Sequence, residues 1–130
     1  MKTIEQILSQ VPNKGEDKNT TSYEFKKDLY DFFWESKWRD RSVLEVSCSI
    51  GYSTYLLSHL FKQVYAVDYT RDLLDFASKF YQSRGRKNIQ LIQCDIYRTP
   101  YWAKLPKADV VFLDADHRYN FVVYDKKCLD

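Results

Sequence analysis

The chain has 130 residues, 45% of them apolar and 29% charged, which suits one globular domain with a substantial core. Its 20 basic and 18 acidic residues leave a net charge of +2, so electrostatics make no case for nucleic acid or a membrane surface as a partner. The three cysteines, Cys48, Cys94 and Cys128, contain no close pair, and neither a disulfide framework nor a zinc pattern is supported.

The N-terminal segment MKTIEQILSQ is mixed in charge and lacks the apolar run of a signal peptide. No stretch approaches the ~20 apolar residues of a membrane span, and the cytoplasm is the expected setting. Ile4, Ile7, Leu8 and Val11 form a short amphipathic pattern ended by Pro12, and the polar run from Asn13 to Asn19 reads as a loop. Residues 1–19 are thus an N-terminal helix and loop ahead of a core spanning 20–130. Thr21 and Glu24 have capping-box spacing and open a helix with Phe25, Leu29, Phe32 and Phe33 at helical intervals, expected to run to about Trp38. With 11 Tyr and 8 Phe, the core should be rich in rings.

Val43 to Val46 reads as a buried strand that runs into a small-residue turn, Ser47-Cys48-Ser49-Ile50-Gly51, with a helix opening at about Tyr52 and carrying Tyr55, Leu56, Leu60 and Phe61. A strand that turns sharply into a helix presents unpaired N–H groups and a positive dipole end to a carboxylate or phosphate. Glu45 places a charge inside that strand, where a charge needs a reason. Val64 to Asp68 is a second strand ending in an acid. A third helix follows from Thr70 to about Arg84, with Leu73, Leu74, Phe76, Ala77 and Phe80 as its apolar stripe and Gly85 at its C-terminal cap. Asn88 to Cys94 alternates as a third strand and is followed by Asp95. Arg98 to Lys107 reads as a loop or short turn of helix. Ala108 to Leu113 is a fourth strand followed by Asp114, and a last helix is expected from about Tyr119.

This alternation implies an α/β fold, a Rossmann-like parallel sheet with helices on both faces. Ligands of such sheets bind beyond the carboxyl ends of the strands, where strand order reverses. Asp68, Asp95, Asp114 and the turn after Glu45 should therefore meet at one crevice. Asp68 lies roughly twenty residues beyond the start of the turn, the place of an acid that accepts from a ribose diol. Asp95 is placed to accept from an exocyclic amine. The ligand implied is an adenosine-type nucleoside whose charged tail lies over the turn. The turn carries no following lysine and is no P-loop.

Val43-Leu44-Glu45-Val46 through Gly51-Tyr52-Ser53-Thr54 resembles the first motif of class I S-adenosylmethionine-dependent methyltransferases. Val67-Asp68, Cys94-Asp95 and the run Val110 to His117 match later motifs in order and spacing, and look most like the small-molecule O-methyltransferase-like group. The resemblance implies that Glu45 and the backbone of Ser47, Cys48, Ser49 and Gly51 hold the methionine end of S-adenosylmethionine (S-adenosylhomocysteine after transfer), with Ser53 near its carboxylate. It places Asp68 on the ribose hydroxyls, Tyr69 beside the adenine, Asp95 on the adenine amino group and the Ile96 N–H on a ring nitrogen. Asp114, Asp116 and His117 would lie near the methionine amine or the acceptor, with Asp114 or His117 as the base. In metal-dependent relatives the acid matching Asp114 is a magnesium ligand, although nothing in this sequence supports bound magnesium.

Two features depart from the family pattern. Ser47 and Ser49 stand where glycines are usual, and a Cβ there narrows the approach of a ligand to the backbone. The family sheet is usually seven-stranded, whereas this chain stops after the helix that follows strand four. Strand four is then expected to be an apolar edge covered by a second copy of the chain, by a partner protein or by the N-terminal helices. Each acid also has a structural reading. Glu45 would pair with a basic neighbour, Asp95 would form a turn, and Asp116 would cap the last helix. Three functional classes stay open: a methyltransferase or its cofactor-binding part, a non-catalytic module that binds the cofactor or its product, and a nicotinamide-nucleotide binder. The broken glycine pattern and Glu45 disfavour the last.

Overall fold

The computed structural model describes residues 2–10, 23–46, 52–94 and 105–113. Within them the chain forms α1 (Ile4–Leu8), α2 (Tyr23–Phe33), a 3-10 turn (Ser36–Asp40), β1 (Ser42–Val46), α3 (Tyr52–Ser58), β2 (Gln63–Asp68), α4 (Arg71–Ser83), β3 (Ile89–Gln93) and β4 (Val110–Leu113). The four strands make one all-parallel sheet in the order β3-β2-β1-β4. The chain steps from β1 to β2 to β3 in one direction and then returns to the far side of β1 for β4. Strand order therefore reverses at β1, the position from which such sheets bind ligands.

Alternation along β1 sorts its side chains onto two faces. Val43 joins Val64 on the face where Ile7, Leu29, Tyr55, Leu56, Leu57, Ala77 and Phe80 are buried, so α1, α2, α3 and α4 all contribute to that side. Leu44 and Val46 face the other way with Val67 and Cys94, and Leu105 and Ala108 pack against them. The expected last helix, from about Tyr119, lies outside the described residues, as do Thr21 of the expected capping box and both Cys48 and Cys128. The ring-rich core is present: Phe33 meets Trp38 and Phe61 with centroids 5.0 and 5.1 Å apart, and Phe80 meets Tyr52 and Tyr55 at 5.1 and 5.3 Å.

Local chemistry fixes the helix ends. α1 carries a capping box in which the Thr3 hydroxyl accepts the Gln6 N–H and the Gln6 side chain accepts the Thr3 N–H. α4 ends in a Schellman turn: the Arg86 N–H donates to the Tyr81 carbonyl, the Gly85 N–H donates to the Gln82 carbonyl, and Gly85 sits at φ +68°. The last carbonyls of α3 are met by the Arg86 guanidinium and the Asn88 amide, both of which donate to the Ser58 carbonyl.

Two expectations about packing change. α2 ends at Phe33 rather than near Trp38, and the 3-10 turn that follows folds the Trp38 ring back onto Phe33 and Phe61. Its inward line runs through buried Lys26 and Leu29 and partly buried Tyr30 and Phe33 at helical spacing, leaving Phe32 67% exposed. In α4 the buried line is Leu74, Ala77, Phe80 and Tyr81, and Phe76 lies off it, 49% exposed.

Candidate functional site

β2 delivers its acid to the carboxyl end of the sheet. Asp68, the last residue of β2, is 6% exposed, and its Oδ1 accepts the Thr70 N–H at 3.1 Å. This Asx-type turn closes the strand and sets Thr70 as the N-cap of α4. The Asp68 carbonyl accepts the Cys94 N–H at 3.0 Å, tying the end of β2 to the end of β3. Immediately after the buried acid, Tyr69 holds a large ring 66% exposed to water. A carboxylate only accepts hydrogen bonds and so suits a vicinal diol, and an exposed ring beside it suits a flat heterocycle. The pair fits an adenosine.

β1 delivers Glu45 differently. Its side chain is fully buried, and both oxygens accept hydroxyl protons from the first turn of α3: Ser53 donates to Oε2 at 2.5 Å and Thr54 donates to Oε1. Glu45 therefore ties strand β1 to helix α3 across the base of the turn. Sequence reasoning placed Glu45 and Ser53 at the methionine end of a cofactor, and the structure brings these two together. It did not foresee Thr54 as the second donor. Nor did it foresee Lys26, which is 1% exposed on α2 with Nζ 5.7 Å from the centroid of the Tyr52 ring. Burial lowers the Lys26 pKa from its ordinary value. The available signal was the spacing of Lys26 to Leu29, Tyr30 and Phe33, which places it on the buried face of α2.

The remaining candidates, Ser47, Cys48, Ser49, Gly51, Asp95, Ile96, Asp114, Asp116 and His117, lie outside the described residues. Their points of departure are nonetheless fixed by the sheet. Val46, which precedes Ser47, is the register partner of Leu113, which precedes Asp114. Val46 is also the partner of Val67, which precedes Asp68, and Asp68 is the partner of Gln93. All four chain ends leave the sheet along one edge. Among the described residues, no three His, Cys, Asp or Glu side chains gather as metal ligands would.

A family described as a methyltransferase domain matches residues 43–125, which span all four strands and the acids at their ends. The chain belongs to the methyltransferase domain family. Membership in this S-adenosylmethionine-dependent class implies that cofactor, and a carboxylate beside an exposed ring, as at Asp68 and Tyr69, is chemically compatible with its nucleoside half. The sheet also resembles solved structures. A Podospora anserina methyltransferase, crystallised with S-adenosylhomocysteine bound, aligns at TM-score 0.71 and 17% identity over 98% of this chain and 53% of its own. A precorrin 8w decarboxylase of Methanobacterium thermoautotrophicum aligns at TM-score 0.71 and 16% identity, covering 93% of this chain and 62% of its own. A dimethyladenosine transferase of Plasmodium falciparum gives TM-score 0.70 and 20% identity over 84% and 37%. Likeness at these identities shows the fold alone, and the methyltransferase domain described here spans less than two thirds of each of those chains. No curated protein sequence matches it. No described helix is long and apolar enough to cross a membrane.

Proposed function

We propose that this methyltransferase domain transfers the methyl group of S-adenosylmethionine to a small-molecule acceptor, in the manner of the small-molecule O-methyltransferase-like group. The observation that carries the reading is the buried Asp68 with the exposed Tyr69 beside it, at the edge where strand order reverses. In this reading Asp68 accepts from both ribose hydroxyls and Tyr69 lies along the adenine, while Asp95 and the Ile96 N–H read the adenine edge. The strand–turn–helix of Glu45, Ser47, Cys48, Ser49, Gly51 and Ser53 holds the methionine end, with Asp114 and Asp116 toward its amine. Glu45 does so through structure, since its bonds to Ser53 and Thr54 set how α3 leaves the turn.

When bound, the cofactor supplies a methyl group on a sulfonium that is already a good leaving group. The protein's tasks are then to hold the acceptor in line and to take its proton, a role assigned to His117 or Asp114. Incubation with methyl-labelled cofactor and a panel of small hydroxyl- and amine-bearing acceptors tests this. Acceptor-dependent transfer is expected, reduced roughly a hundredfold or more in His117→Ala or Asp114→Asn. Binding of the cofactor product with no transfer to any acceptor would instead favour a non-catalytic binding module.

A further inference from the structure

The segment that joins β2 to α4 consists of Tyr69 and Thr70, and both of its residues are held. The Thr70 N–H is fixed by Asp68 itself, as described above. The Tyr69 carbonyl is fixed from the neighbouring strand: Gln93 Nε2 donates to it at 3.2 Å, while Gln93 Oε1 accepts from Arg71 Nη2 at 2.7 Å. Arg71 is the first residue of α4 and is steadied by Asp75 one turn on, at 3.8 Å. Gln93 is the register partner of Asp68, so this bracket spans the segment just beyond the acid.

The chemistry of the bracket is selective. A guanidinium can only donate and a carbonyl can only accept, so the group between them must do both, with its two ends facing opposite ways. A glutamine amide does this in one orientation. Glutamate keeps the bond to Arg71 but has no proton for the Tyr69 carbonyl, and methionine keeps the length but offers neither bond.

We infer that Gln93 and Arg71 are positioning residues for nucleoside binding, a bracket that holds the Tyr69 backbone so that its ring and the Asp68 carboxylate present one preset surface to the adenosine. The inference rests on the assignment of Asp68 and Tyr69 to the nucleoside. Neither bracket residue needs to touch the ligand: ordering the segment beforehand removes an entropy cost from binding.

Calorimetric titration of the full chain with S-adenosylhomocysteine, and separately with adenosine, tests it. Gln93→Glu should weaken both ligands by the same factor, roughly tenfold for one lost hydrogen bond and the ordering it imposes, and Gln93→Met, which loses both bonds, should weaken both by at least as much. Arg71→Lys, which keeps a donor, should bind close to wild type. The melting temperature should be unchanged in all three, because the bracket is exposed. Wild-type affinity in Gln93→Glu would show that the donor to Tyr69 is irrelevant and would overturn the bracket alone. A wild-type chain that binds neither ligand would overturn the nucleoside assignment and the bracket with it.

Discussion

Glu45 shows how a buried acid in a strand is accommodated. A carboxylate with no exposure is costly unless its oxygens are met, and the hydroxyls of Ser53 and Thr54 meet them. The acid that is conspicuous in the sequence is thus also the group that ties β1 to the first turn of α3. His59 presents the opposite case. It packs edge-on to Tyr55 with centroids 5.0 Å apart, and its Nε2 is buried with no hydrogen-bond partner among the described residues. Burial first, then the positive charges of Arg86 and Lys2, push its pKa from 6.5 down to about 4. The unfolded chain therefore binds a proton between these values that the folded chain refuses. Stability should be unaffected by His59 above pH 6.5, fall as pH drops through the window, and level off below about 4. Urea unfolding at closely spaced pH values should show that slope in the wild type and a flatter one in His59→Phe, and equal slopes would contradict it.

At the level of elements, the strands were legible in the sequence and helix faces were less so. β1 and β2 begin within one residue of the expected positions because short apolar runs bounded by turn signals leave little choice of register. Phe32 and Phe76 were expected on the buried faces of α2 and α4, but the buried line passes one residue beside each. One residue of shift on a helix turns a side chain by about a quarter circle, from core to water. On α2 the inward positions include buried Lys26 and partly buried Tyr30. Gly85 was legible for a clear reason, since a left-handed cap is where glycine has no steric penalty. An added Cβ there would meet nothing within 4 Å, so Gly85→Ala isolates the backbone cost. It should destabilise the domain by about 1–2 kcal/mol in denaturant unfolding, with Gly85→Asn losing less. A loss near zero would mean that the cap does not hold the end of α4.

For the whole molecule, the order β3-β2-β1-β4 places the point of reversal, the acid at the end of β2 and the start of α3 along one edge. The alternation of elements implies such a parallel sheet with its carboxyl ends on one edge, because right-handed crossovers allow few other arrangements; of the four groups expected to meet there, Asp68 lies among the described residues. The expected turn at Ser47 to Gly51 and the acids Asp95 and Asp114 lie outside the described residues. The same topology gives β4 a partner on its β1 side only, among the described residues, and leaves Val111 41% exposed.

Calorimetric titration with S-adenosylhomocysteine, with NAD as the control and Asp68→Ala beside the wild type, tests the proposed nucleoside site in one experiment. Binding of the homocysteine nucleoside alone is expected, abolished in Asp68→Ala while the circular dichroism spectrum and melting temperature show the fold intact. Equal affinity in a folded Asp68→Ala variant, or binding of NAD in place of the homocysteine nucleoside, would contradict the assignment of the carboxyl edge of β2 to the cofactor ribose.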